Sequence, residues 1–248
     1  MSVKKYNPLG LLSNFYLKII AIITMTIDHV GIVFFPRMTI FRIIGRIAFP
    51  IFAFLIAEGC SYTKNKLKRF LTISIIGIAY LLAYYIYAKV IYASIFVTFS
   101  FSMFFIFMLM DIKKLLFTKR YTLFGSMVAL FMCLLVLTYI IFDKVHIDYG
   151  FYGMLIPVVI SLFDFRKLEV PNWLRKLDCF WIKFISLLVS LILFSQIMTM
   201  GGIQIYCLLS LVFIILYNGK PGPKGFKYGF YIYYPVHLLV IEGLFLIL

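Results

Sequence analysis

The chain has 248 residues, of which 64% are hydrophobic and only 13% charged. Average soluble proteins are about 45–50% apolar and about 25% charged, so this composition excludes a soluble globular protein. The formal net charge of +15 comes from basic residues in short connections between apolar runs, which indicates membrane topology and argues against a nucleic-acid partner. No connection is long enough to fold separately, so we expect a single domain over residues 1–248.

Apolar runs follow one another along the whole chain. A helix needs about 20 apolar residues to cross the hydrocarbon core of a bilayer. We therefore predict an all-α polytopic membrane protein with about nine transmembrane helices, eight and ten remaining open because the sixth and eighth runs are short. The predicted spans are 15–35, 39–62, 70–88, 91–110, 121–142, 150–163, 179–200, 203–217 and 229–248.

The lysines and arginines predict how these spans are oriented. They are concentrated in the N-terminal segment and in every second connection after it. Cytoplasmic loops carry the excess of basic residues in membrane proteins. We therefore predict a cytoplasmic N-terminus and an external C-terminus.

Asp28 and His29 interrupt the first apolar run. A charged residue near the middle of a membrane helix costs about 2.5–3.5 kcal/mol on insertion scales, so such residues are functional candidates by default. An imidazole beside a carboxylate is suited to take and return a proton near neutral pH. His29 is therefore a candidate proton acceptor.

The second run carries Arg42 and Arg46 on one helix face, at the predicted depth of Asp28. Two readings remain open, a functional site or ion pairs that merely hold the two helices together. Pro50 cannot donate the hydrogen bond that the Arg46 carbonyl would accept, so we expect a kink there.

Lys18 and Glu58 lie near the predicted cytoplasmic ends of the first two spans. Lys18 shares a helix face with His29, so the pair suggests a polar track from the cytoplasm toward that histidine. The alternative is that both side chains reach out to the interface.

Three further positions are candidates. His237 lies in the last run, three residues after Tyr234, so the phenol and the imidazole can meet on a helix. Asp148, in an external connection, either binds an amine substrate arriving from outside or is an ordinary loop carboxylate. Lys220 lies in a glycine-containing connection suited to contact with phosphate groups.

Several of these segments together resemble the TraX family of membrane proteins. The resemblance runs in order through nearly the whole chain, and its first two blocks are specific. The blocks are Leu17–Lys18 with Thr26–Gly31, Arg42–Phe54, Ala57–Gly59, Asp148–Gly150 with Gly153, Tyr217–Lys220 with Gly222, and Phe230–Tyr231 with Tyr234–Pro235 and His237–Leu238.

The resemblance implies an acyltransferase in the bacterial cytoplasmic membrane that uses acetyl-CoA from the cytoplasmic side and no metal. The best-known members imply a pilin N-terminus as acceptor, and we expect here an amine or hydroxyl of a pilin-like peptide, a glycan or another molecule.

Roles for the candidate residues follow from this resemblance as hypotheses. His29 is the general base, Asp28 pairs with Arg42 or Arg46, and these arginines stabilise the oxyanion or hold CoA phosphates. His237 is the alternative base or a donor to the carbonyl. The remaining candidates for substrate or cofactor binding are Lys18, Glu58, Asp148, Tyr234 and Lys220.

Two other function classes compete with the enzyme. Broken helices with charges at membrane depth also mark the pathways of transporters. Transporters often consist of repeated halves, and the sequence shows no internal repeat, which favours the enzyme. The third class is a helical assembly factor without chemistry.

Overall fold

The computed structural model describes residues 10–223 and 227–247. The described residues are 79% helical, as expected for a sequence built almost wholly from apolar runs. Among the described residues, six helical segments are long and apolar enough to cross a membrane: Asn14–Phe34, Thr39–Tyr62, Lys66–Ala88, Ile95–Phe117, Tyr121–Lys144 and Phe180–Ile197.

These segments and the shorter elements follow in chain order. The α-helices are α1 (Asn14–Phe34), α2 (Thr39–Gly45), α3 (Ala48–Tyr62), α4 (Lys66–Ala88), α5 (Ile95–Phe117), α6 (Tyr121–Lys144), α7 (Gly150–Ile160), α8 (Asn172–Leu177), α9 (Phe180–Ile197), α10 (Ser210–Ile214) and α11 (Lys227–Ile247). Two short strands, β1 (Tyr92–Ala93) and β2 (His146–Ile147), pair in parallel. Two 3-10 helices cover Ser161–Phe163 and Met200–Leu209.

The all-α membrane architecture predicted from the sequence is confirmed. The apolar segments Gly150–Phe163 and Gly202–Ile214 are shorter than the six long ones, and much of the second is 3-10 helix, which rises about 2.0 Å per residue. The count of nine passes and the orientation of the termini stay predictions.

Large apolar side chains on α4 and α6 are exposed, as expected for helices that face lipid. Ile75, Ile86 and Val136 are 61%, 69% and 60% exposed. A large apolar surface of this kind is incompatible with water and matches the hydrocarbon of a bilayer. The protein is therefore a multi-pass membrane protein.

The second predicted span is broken where the proline rule indicated. Its helix ends at Gly45 and resumes at Ala48. The break falls at Arg46, whose carbonyl lacks its usual donor because Pro50 has no N–H. The predicted kink is thus a full interruption between α2 and α3.

Contacts divide the chain into two compact units. The first consists of Met1–Leu55 and Cys179–Leu248, and the second of Ile56–Asp178. The boundary in the chain falls between Leu55 and Ile56, and the single-domain organisation stays a prediction.

The first unit is assembled around the close approach of α1 and α2. A Cβ added at Gly31 would overlap the ring of Phe41, and one added at Gly45 would overlap the carboxylate of Asp28. Such glycines let two helices pack more closely than larger residues allow. The N-terminal segment completes the unit, since Leu12 donates to the Leu216 carbonyl at 2.8 Å.

The second unit has an apolar core of its own with buried charges beside it. Its core includes Met103, Phe105, Ile106, Met154 and Ile156, each at most 2% exposed. The Lys113 ammonium is buried and donates to the carbonyl oxygens of Ser161 and Asp164 at 2.8 and 3.1 Å.

Candidate functional site

Asp28 lies between two guanidinium groups in the first unit. Arg42 Nη1 is 3.1 Å from Oδ1 of Asp28, and Arg46 Nη2 is 3.2 Å from Oδ2. Asp28 and Arg46 are buried, at 7% and 5% exposure. The structure thus brings together the three charged residues that the sequence placed at one depth.

This cluster depends on the shape of α2. Arg42 and Arg46 lie one helical turn apart and both reach α1, while Gly45 leaves room for the Asp28 carboxylate between them. The Nε of Arg46 donates to the Arg42 carbonyl at 3.3 Å, which helps to fix its guanidinium at the end of α2. The carboxylate therefore sits in a preformed fork of donors.

Gln204 joins the cluster from the 3-10 helix Met200–Leu209. Its Oε1 accepts from Arg46 Nη1 at 3.2 Å, and the residue is 1% exposed. Gln204 is not among the residues predicted from the sequence. Its signal was present, because Gln204 is a lone amide inside an apolar run, and polar residues at membrane depth are candidates for function.

His29 and His237 meet across α1 and α11. Nε2 of His237 is 3.3 Å from Nδ1 of His29, and the ring centroids are 5.0 Å apart. His237 is buried and His29 is half-buried. The sequence offered them as alternative bases, whereas the structure makes them neighbours.

The backbone contacts of the two rings assign their hydrogens. His29 Nδ1 is 2.9 Å from the Met25 carbonyl oxygen, and His237 Nδ1 is 3.0 Å from that of Tyr233. Because a carbonyl oxygen only accepts, each Nδ1 carries the hydrogen and donates it. The His29 Nδ1–H is then shared between the Met25 carbonyl and, at the longer distance of 3.3 Å, His237 Nε2, and His29 Nε2 keeps a lone pair with no hydrogen-bond partner among the described residues.

Tyrosines of α11 hold the histidine pair in place. The ring of Tyr233 stacks on His237 at a centroid distance of 5.2 Å, and Tyr234 meets it edge-on at 5.5 Å. Thr26 Oγ1 donates to the Ile22 carbonyl at 2.9 Å, so it accepts from the Tyr233 hydroxyl at 2.7 Å. Tyr234 thus contacts His237 as predicted from their spacing.

The Lys18 ammonium lies 5.0 Å from the ring centroid of Phe230 and so contacts α11. Lys220 is exposed, and its N–H donates to Asn218 Oδ1 at 2.9 Å. Its loop is anchored to the N-terminal segment, because Asn14 donates to the Lys220 carbonyl at 2.8 Å. Binding of substrate or cofactor by either lysine stays a prediction.

Glu58 belongs to a buried ion cluster of the second unit. Arg166 Nη2 donates to both of its carboxylate oxygens, at 2.9 and 2.7 Å, and the Arg166 guanidinium also lies over the ring of Tyr62. Burial alone would lower the pKa of Arg166, but the Glu58 carboxylate outweighs it and raises that pKa above its ordinary value. Glu58 is 5% exposed, so it does not reach out to the interface, and the polar track remains untested.

Asp148 directly follows β2 and hydrogen-bonds to both residues of β1. Its carboxylate accepts from the Tyr92 hydroxyl, and its N–H donates to the Ala93 carbonyl at 3.0 Å. Burial and the neighbouring Asp148 carboxylate raise the pKa of Tyr92, so this phenol stays protonated and keeps donating. Binding of a substrate by Asp148 stays a prediction.

Comparison with known proteins agrees with the sequence blocks. The family model described as TraX protein matches residues 13–245. Similar proteins include an uncharacterized protein of Rickettsia prowazekii (strain Madrid E), 42% identical over 87 residues that make up 29% of this chain and 35% of that protein. A probable fimbrial assembly protein FimC (serogroup H1) of Dichelobacter nodosus is 25% identical over 244 residues, covering 92% of this chain and 94% of that protein. No solved structure matches. Because the family match covers nearly the whole chain, the protein belongs to the TraX family.

Proposed function

We propose that this protein is a membrane-embedded acyltransferase that moves an acetyl group from acetyl-CoA to an amine or hydroxyl of an acceptor. The observation that carries the proposal is the contact between His29 and His237 next to the Asp28–Arg42–Arg46 cluster in one unit. A general base beside preorganised cationic donors is the minimum machinery of acyl transfer.

His29 acts as the base in this proposal. Its Nε2 lone pair takes the proton from the acceptor nitrogen or oxygen as that atom bonds to the acetyl carbon. His237 and the Met25 carbonyl hold the opposite side of the ring, so the reactive tautomer is present before the acceptor arrives. The protonated His29 then returns its proton to the departing sulfur.

The arginines fit the acyl donor. Acetyl-CoA supplies an activated acetyl thioester and several phosphates. Arg42 is partly exposed, with 28% of its side-chain surface accessible, and its guanidinium is suited to a carbonyl oxygen gaining negative charge or to a phosphate. Asp28 holds both guanidiniums in place.

The relative in Dichelobacter nodosus supports one class of acceptor. Its printed name assigns it to fimbrial assembly, and fimbriae are polymers of pilin-like subunits. We therefore propose a pilin-like peptide as the first acceptor to test, followed by cell-surface glycans.

Membranes that contain each histidine variant, supplied with labelled acetyl-CoA and a pilin-like peptide, test the proposal. We expect His29→Asn, which keeps a donor near the position of Nδ1 but lacks Nε2, to lower the transfer rate by about 10²- to 10⁴-fold. His237→Ala should lower it less, because it removes only the support of His29. His146→Ala is the matched control, since His146 is exposed, and its rate should equal that of the wild type. Unchanged transfer by His29→Asn would remove His29 from the mechanism.

A secondary transporter is the second candidate, favoured by the interrupted helix at Arg46. Proteoliposomes that contain the purified protein separate the two functions. An enzyme transfers acetyl groups without net solute flux, whereas a transporter carries solute and leaves acetyl-CoA intact.

A further inference from the structure

Gln204 carries a hydrogen-bond donor that the described residues leave unsatisfied. Its Oε1 accepts from Arg46 Nη1, but its buried Nε2 has no hydrogen-bond partner. A buried polar group without a partner costs about 1–3 kcal/mol, and the cost is felt fully in a membrane protein interior. If Gln204 only held Arg46 in place, a residue without a buried unpaired donor could replace it and would avoid this cost.

The surroundings of this nitrogen are cationic. Gln204 touches Arg46, and Asp28 is shared between the guanidiniums of Arg46 and Arg42. The Arg42 guanidinium directs only Nη1 at Asp28 and makes no other ion pair or hydrogen bond with the described part of the chain. Arg42 therefore keeps unused donors beside this cluster. A guanidinium and an amide N–H are best satisfied together by an acceptor that carries negative charge.

We infer that Gln204 is a ligand-binding residue whose Nε2 donates to an anionic oxygen of a carboxylate or a phosphate held between Arg42 and Arg46. The inference deepens the proposed acyltransferase function, on which it rests for the identity of the natural ligand. It adds a residue from the 3-10 helix Met200–Leu209 to a site otherwise built from α1 and α2.

A purely structural role for Gln204 makes the opposite prediction for one substitution. Gln204→Glu keeps an oxygen for Arg46 Nη1 and strengthens that contact with a full charge. The same change replaces the Nε2 donor by a second acceptor and repels an anion. If Gln204 only holds Arg46 in place, Gln204→Glu should leave anion binding unchanged. If its Nε2 donates to a ligand, the same substitution should weaken anion binding.

The test measures the melting temperature of the purified full-length protein in detergent during titration with inorganic phosphate or with acetate, against chloride at equal ionic strength. We expect a saturable rise in the wild type with at least one of the two anions. A rise in melting temperature with phosphate alone indicates a phosphate-bearing ligand. A rise with acetate alone indicates a carboxylate-like ligand. Gln204→Glu should weaken the apparent anion affinity by about 10- to 100-fold, while its melting temperature without anion should not fall.

Two further variants keep the test decisive. Gln196→Glu makes the same change at an exposed position of α9 and should respond like the wild type. Gln204→Met keeps the side-chain volume without charge, so it should lose the response even if Gln204→Glu folds poorly. A wild type without a saturable response, or an unchanged response in either Gln204 variant, overturns the inference. An intact anion response together with absent acetyl transfer would instead overturn the proposed function and leave this site standing.

Discussion

At the scale of single residues, the hydrogen bonds and ion pairs already present determine which atoms of the site remain available for chemistry. The Nδ1 atoms of His29 and His237 are both committed to backbone carbonyls, which leaves one lone pair, on His29 Nε2, available for chemistry. Asp28 is likewise committed to two guanidiniums. Asp28 and His29 are adjacent in the chain but serve different partners, because neighbours on a helix point about 100° apart.

Removal of the Asp28 carboxylate should destabilise the protein strongly. Asp28→Asn removes the carboxylate that two guanidiniums share, and breaking a buried pair in this way costs about 3–5 kcal/mol. The free energy of unfolding of the purified protein in micelles measures the loss. The matched control is Asp111→Asn, which breaks the exposed Lys66–Asp111 pair and should cost less than about 1 kcal/mol. Equal effects of the two substitutions would mean that burial of the Asp28 cluster contributes no stability.

At the scale of elements, the close approach of α1 and α2 determines the site. Gly45 is the position where α2 passes over the Asp28 carboxylate, with no room for a Cβ. The interruption after Gly45 then frees Arg46 to turn toward Asp28 and Gln204. The helix break and Gly45 beside it together position the guanidinium of Arg46.

Gly45→Ala should therefore displace Asp28 from between the arginines. We expect a loss of about 1–3 kcal/mol in stability together with a fall in acetyl transfer. Gly125→Ala is the control, because Gly125 is exposed in the second turn of α6 and a Cβ there meets nothing within 4 Å. Alanine favours the helix at such a site, so stability should be unchanged or rise by up to about 1 kcal/mol. A Gly45→Ala protein with wild-type stability and activity would show that the α1–α2 approach is looser than described here.

Some features of these elements could be predicted from the sequence, and others could not. The apolar runs, the break before Pro50 and the pairing of Asp28 with the arginines were predictable, because hydrophobic length, a missing N–H and the cost of buried charge act over short stretches of chain. The contact between His29 and His237 was not, since 208 residues separate them and only tertiary packing joins them. The pairing of Glu58 with Arg166, 108 residues away, was missed for the same reason.

At the scale of the whole molecule, the predicted topology directs the first span, which carries Asp28 and His29, outward from the cytoplasm. The first long helices bring Asp28 and His29 to membrane depth, and the basic connections predict which ends face the cytoplasm. An acyl donor from the cytoplasm and an acceptor from outside would then meet at the same site.

Reporter insertions test this topology. Lys89 follows the end of α4 and Arg120 follows the end of α5, so one long apolar helix, Ile95–Phe117, separates the two positions. An alkaline phosphatase inserted after Lys89 should be active, as expected outside the cytoplasm, and one inserted after Arg120 inactive. Fluorescent-protein insertions at the same positions should give the reverse pattern. Activity of one reporter at both positions would contradict the assignment of α5 as a membrane crossing.

Mass spectrometry of the acceptor is the decisive measurement of acetyl transfer. Pilin-like peptides and surface glycans should be compared between cells with the wild-type protein, cells without it and cells with His29→Asn. We expect an acceptor that carries the added mass of one acetyl group only in cells with the wild-type protein. An unchanged set of acetylated molecules in all three would contradict the assignment of this protein as an acetyltransferase.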